Sequence, residues 1–206
     1  MKNNRLLLIM LVGIGIVLAA QAKATVMFTF LENGSGNKGP SETWTVSGLS
    51  LTAYGFNASG ATDLWAKNGG PGENGLGLAE DPTGDHEIST FDFVQLKLPT
   101  TPPSTFLSAL LASVQNGEEA DIYWSTTLGS LGTMIGSISN SDGTFFIPSG
   151  QYQNGYFGVT AGHANVLLAG AVFEQNVPDG GTTIMLLGGV LVGIQILRRK
   201  LGSHQA

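Results

Sequence analysis

The chain has 206 residues, with 30 glycines, 8 prolines, no cysteine and a formal net charge of −6. Without cysteine, a disulfide framework, a thiolate zinc site and a cysteine nucleophile are all excluded. The charge is uneven: fourteen acidic residues between Thr25 and Asn176 face only Lys38, Lys67 and Lys97, a net −11 over 152 residues, and such a segment is repelled by nucleic acid and by anionic membrane surfaces.

Lys2 and Arg5 open the chain, and an apolar run from Leu6 to Ala20 follows. Ala22-Lys23-Ala24 then places small residues where a signal peptidase reads. The pattern predicts a secretory signal peptide over 1–24, cut after Ala24, or two residues earlier after Ala22. A retained anchor is the competing reading, but the run is short of the ~20 residues a spanning helix needs.

From Thr25 the chain becomes a series of short alternating segments: "TVMFTFL", "ETWTVSGLSLTAYGF", "FDFVQLKL", "ADIYWST", "GTFFIP", "GYFGVTA" and "NVLLAGAVFE". Gly, Asn, Asp, Ser and Pro clusters such as "ENGSGNKGP", "KNGGPGENG" and "NSDG" separate them. Period-two alternation broken by turn residues predicts an all-β domain over 25–176, an antiparallel β-sandwich of jelly-roll type. In "FDFVQLKL", Phe91, Phe93, Gln95 and Lys97 share one face and Asp92, Val94, Leu96 and Leu98 the other; the switch in polarity predicts a bulge or a strand covered on both sides.

"STFLSALLASVQNG" is ambiguous. Phe106, Leu107, Leu110, Leu111 and Val114 recur at helical spacing between Pro103 and Asn116-Gly117. The β context favours a long strand running into a hairpin instead. Trp44 and Trp124 are expected in the core, whereas Trp65, beside a Gly-rich turn, is expected at the surface, where aromatic rings stack on sugars.

The residues that carry chemistry are few. Glu73, Asn74, Glu80, Asp81, Asp85, His86 and Glu87 fall within fifteen residues of "ENGLGLAEDPTGDHEI". Hard oxygens in such a loop are what Ca²⁺ requires, so Glu80, Asp81, Asp85 and Glu87 are candidate ligands. The spacing is not that of an EF-hand and no aspartate ladder repeats, which favours a solvated acidic loop. Nothing places His163 near His86 for a zinc site, no G-x-S-x-G elbow occurs, and Glu118, Glu119 and Asp121 lie too close in sequence to flank a glycosidic bond. No enzymatic activity and no cofactor other than Ca²⁺ is expected.

The chain closes with Val177-Pro178-Asp179-Gly180-Gly181, an apolar stretch from Thr182 to Leu197, and Arg198, Arg199 and Lys200. As a helix the stretch is about 24 Å long, short for a ~30 Å hydrocarbon core unless flanking residues help. The basic cluster is expected to stay cytoplasmic, which leaves the acidic domain outside.

The whole arrangement over 177–206 resembles the C-terminal signal of PEP-CTERM bacterial surface proteins in its Val-Pro-Asp variant. Pro178-Asp179-Gly180 stands in place of the common Pro-Glu-Pro, Gln195 interrupts the apolar stretch, and Leu201 to Ala206 trail beyond the basic residues. The resemblance implies signal peptidase and an exosortase as processing enzymes, with a cut near Pro178-Asp179. It implies a Gram-negative host that makes exopolysaccharide, transient anchoring in the inner membrane, and a final place in the cell envelope, surface or extracellular matrix. The expected role is structural or adhesive in exopolysaccharide or biofilm, with a carbohydrate- or calcium-binding module as the alternative.

Overall fold

Segments with one apolar and one polar face must bury the apolar face against another layer. In the computed structural model, which describes residues 22–31, 33–100, 104–148, 152, 154–177, 188, 191 and 193–195, they do so as two β-sheets. The chain divides into two compact units, Thr25–Gln175 and a second made of Met1–Ala24 and Asn176–Ala206.

The first sheet runs in the order β12 (Gly143–Phe146), β9 (Ser104–Ala112), β14 (Leu167–Val177), β7 (Asn74–Leu78), β6 (Leu64–Asn68) and β2 (Gly36–Gly39), with β1 (Ala22–Thr29) also paired to β14. The second runs β11 (Thr133–Ser139), β10 (Glu119–Ser125), β13 (Tyr156–His163), β8 (Phe93–Lys97), β4 (Leu49–Asn57) and β3 (Ser41–Val46), with β5 (Gly60–Thr62) on β4. The strand pairs within them are antiparallel. The antiparallel sandwich expected from the alternation is therefore what the chain forms.

Alternate residues meet in one interior. Leu49, Leu51 and Ala53 of β4, Val94 and Leu96 of β8, and Phe157 and Val159 of β13 are buried with Leu64 and Ala66 of β6, Leu76 and Leu78 of β7, and Phe106 of β9. Phe106 and Phe157 meet edge to face across the two sheets, their ring centroids 4.9 Å apart. Each Leu, Val or Phe among these side chains contributes about 1.5–3 kcal/mol by leaving water, which is how a chain without disulfides is held.

The ambiguous segment is β9, a strand. Both of its edges are used, Leu111 opposite Gly143 on one side and Leu168 on the other. Strand pairing on both flanks satisfies its backbone groups and outweighs the helical spacing of its leucines.

Strand β8 is covered on both faces. Gln95, on the side away from the core, is fully buried, because the 126–132 loop lies over it: Gln95 Nε2 donates to the Ser130 carbonyl at 2.7 Å, and the Gly129 amide donates to Gln95 Oε1 at 2.7 Å. That answers the face switch in "FDFVQLKL" without a bulge. Trp44 lies in the core and Trp124 packs against its margin. Trp65 differs from expectation: it is half-buried, and the reason is the loop described next.

Of the 182–197 stretch, Gly188, Leu191, Gly193, Ile194 and Gln195 are described, each in helical conformation; the rest of the stretch, and residues 1–21 of the expected signal peptide 1–24, lie outside the described residues. Among the described residues, no helix is long and apolar enough to cross a membrane.

Candidate functional site

The sequence Asn74-Gly75-Leu76-Gly77-Leu78 sends Leu76 and Leu78 into the core and leaves only glycines on the outer side of β7. A bare strip on a sheet admits another backbone. A Cβ at Gly77 would lie 2.1 Å from the His86 carbonyl oxygen and 2.8 Å from Glu87 Cα. The 79–92 loop thus lies directly on the sheet at this point, and Ile88 bridges to Val166 with mutual backbone bonds of 2.9 and 3.0 Å. His86 makes the turn in the left-handed region, φ 63°, and its ring stacks on Trp65 of β6 at a centroid distance of 3.9 Å.

Two polar clusters flank this crossing. In the first, Lys67 of β6 lies between Glu73 of the β6–β7 hairpin, at 3.1 Å, and Glu87 of the loop, to which it donates a short hydrogen bond. Ser113 Oγ, just past β9, donates to Glu87 Oε2 at 3.0 Å. Glu87 is 3% exposed. Burial, with Glu73 alongside, pushes its carboxyl up to about 7 against the pull of Lys67 and Ser113. Burial also works against charge on Glu73 and Lys67, but their hydrogen bonds and mutual attraction prevail, holding Glu73 below its ordinary value and Lys67 above.

The second cluster is the turn 81–85. Asp81 Oδ2 accepts from Thr83 Oγ1 and from the Asp85 amide, the latter at 3.1 Å. Asp85 Oδ1 accepts from the Glu87 amide at 3.1 Å and Oδ2 from Asn165 Nδ2 at 2.9 Å; Asn165 Nδ2 also reaches Thr83 Oγ1 at 3.0 Å. The two carboxyls lie close enough to shift each other's proton affinity. Burial and then Asp85 push Asp81 above the usual carboxylate value, while Asp85, also pushed up by burial, is held below it by bonds from Asp81, Asn165, Thr83 and the Glu87 amide.

The four acidic residues singled out as Ca²⁺ ligands thus separate. Asp81 and Asp85 meet; Glu87 turns to Lys67; Glu80 Oε2 is reached by Thr62 Oγ1 at 3.4 Å. Among the described residues, no group of three or more His, Asp or Glu side chains is placed to hold a metal. Lys67, Ser113 and Asn165 carried no local signal in the sequence as members of either cluster. Only Thr83, midway between Asp81 and Asp85, had a spacing that hinted at its place. Glu118 accepts from the Gln115 amide at 2.6 Å and His163 ends β13, so neither joins a site.

At the ends, Ala22 and Ala24 lie in β1 and Val177 is the last residue of β14. Pro178, Asp179, Gly180, Gly181, Arg198, Arg199 and Lys200 lie outside the described residues. Residues 176–201 match the VPDSG-CTERM motif, a PEP-CTERM-like C-terminal sorting signal variant; Gly180 stands where that motif's name has serine. No curated protein and no solved structure matches the chain. A C-terminal sorting signal of this kind fits export to the cell surface.

Proposed function

We propose that this is an exported envelope protein whose β domain is delivered to the cell surface or surrounding matrix by cleavage of its C-terminal sorting signal, and that the domain is structural or adhesive there. The match over 176–201 carries this reading. Val177 to Gly181 are then substrate positions for a membrane-embedded sorting enzyme, the stretch 182–197 holds the chain in the inner membrane until the cut, and Arg198, Arg199 and Lys200 keep its end cytoplasmic. The acidic domain supports a place among neutral or cationic polymers rather than anionic ones.

Replacement of Pro178 and Asp179 by alanine in the natural host is the test. It leaves the apolar stretch and the basic stop intact, so the variant should reach the membrane, accumulate there uncut and be lost from the surface. The mass of the surface product decides: a wild-type product that still carries 182–199 would mean a plain anchor and end the sorting reading.

A second reading, binding to carbohydrate, draws on the outer side of the second sheet. Register places Tyr54 of β4 and Tyr123 of β10 on either side of the 126–132 loop that covers Gln95 and Gly158, and Phe56 and Phe93 stack in the row next to Tyr54, 4.9 Å apart. Half-buried aromatic rings beside polar groups are what sugar faces stack on. A glycan array that retains the wild type and loses Tyr54→Ala and Tyr123→Ala supports it; no retained glycan disposes of it.

A further inference from the structure

We propose that the turn 81–85 is a calcium site, formed by the carboxylates of Asp81 and Asp85, the hydroxyl of Thr83 and the side-chain amide oxygen of Asn165. The site does not depend on the sorting reading.

Three observations converge on it. Asp81 is only 9% exposed, and its Oδ1 is buried with no hydrogen-bond donor among the described residues, although Oδ2 of the same carboxyl has two. A buried acceptor left without a partner is costly. Next, the two carboxyls are joined through the Thr83 hydroxyl and the Asn165 amide, yet the partners they have are hydroxyl, amide and peptide groups, and neither makes a salt bridge with a described residue. Lys67, on the same loop's path, is engaged by Glu73 and Glu87. Finally, Asn165 and Thr83 close on the carboxyls from opposite chain segments, β14's approach and the turn itself. A half-turn of the Asn165 amide exchanges Nδ2 for Oδ1 and converts it from donor to ligand.

The donor set selects the ion. All four groups are hard oxygens; the nearby imidazole of His86 is stacked on Trp65. Ca²⁺ takes six to eight oxygens in flexible geometry, whereas Mg²⁺ demands a near-ideal octahedron and sheds water reluctantly. With only two carboxylates, the remaining positions fall to peptide carbonyls and water. The affinity expected is that of extracellular modules, a Kd of about 10⁻⁴ to 10⁻³ M.

The full-length chain, purified in detergent and stripped with EGTA, is melted with and without about 10 mM CaCl₂. At ten to a hundred times Kd the melting temperature should rise by about 3–10 °C, and equilibrium dialysis against radioactive calcium, titrated across that Kd range, should extrapolate to one bound ion per chain. Asp81→Asn and Asp85→Asn should each abolish the rise; in EGTA the first should melt at or above wild type, since it removes a buried like charge, and the second below it, since the Asp85 carboxylate is held in its charged form by its donors. Glu80→Gln, one residue outside the site, should keep the rise. Absence of a rise and of bound calcium in the wild type overturns the site. So does an equal rise with MgCl₂ or in the Asp81→Asn variant, because that result means general screening of an acidic domain. If an aspartate variant fails to fold, the wild-type stoichiometry and the Glu80→Gln control decide alone.

Discussion

Gly77→Ala is expected to lower the melting temperature by about 5–10 °C, a cost of about 2–4 kcal/mol. The residue is not in a left-handed conformation, so the effect is purely one of space. A methyl there meets the His86 carbonyl oxygen at 2.1 Å and His86 carbonyl carbon at 2.9 Å, and neither is the free end of a side chain that can swing aside. The loop must lift, which separates His86 from Trp65 and draws Glu87 away from Lys67. Gly143→Ala is the matched control. It is also a strand glycine outside the left-handed region, and its nearest neighbour would be 3.9 Å from the new Cβ, so a change within about 0.5 kcal/mol is expected. Equal melting temperatures for Gly77→Ala and wild type would mean that the loop does not lie on β7.

That contact also shows how far the sequence could be read. The alternation of Leu76 and Leu78 announces a strand with one apolar side, but the glycines between them look like turn residues, and nothing local says that a loop covers them. Trp65 looks like a surface ring in the sequence for the same reason: its cover, His86, arrives from twenty-one residues away. In β9 the leucines fit a helix as well as a strand, and the choice was made by partners at Gly143 and Leu168, which no window of sequence contains. The acidic cluster was legible as a cluster, since its members are neighbours in the chain. Its division was not, because the groups that sort it, Lys67, Ser113 and Asn165, come from three other strands or their ends. The sorting motif was legible almost completely, because its meaning lies in linear order and not in tertiary contacts.

The pH dependence of stability should turn on Glu87. Its carboxyl goes from 4.5 to about 7 on folding, so the folded state holds a proton that the unfolded chain releases. The stability linked to that proton is complete below about pH 4.5 and is lost as pH rises through about 7. The full linkage for such a carboxyl is about 3 kcal/mol, and the opposite shift of its partner Glu73 reduces what is observed to about 1–3 kcal/mol. Glu73, held low, weakens the fold only as pH drops below its ordinary value, and Lys67, held high, only at strongly alkaline pH. Between pH 5 and 9, Glu87 is therefore the member of this cluster that titrates. Glu87→Gln keeps an acceptor for Lys67 and Ser113 but carries no charge at any pH. Its melting temperature should match wild type near pH 5 and exceed it by about 3–6 °C at pH 8.5. Lys67→Met should do the reverse, costing about 3 kcal/mol above pH 7, where two carboxylates are left facing each other, and less at pH 5, where one of them is neutral. Melting curves of the three proteins that run parallel across this range would show that Glu87 stays ionised in the fold, with Lys67 alone sufficient to hold both carboxylates.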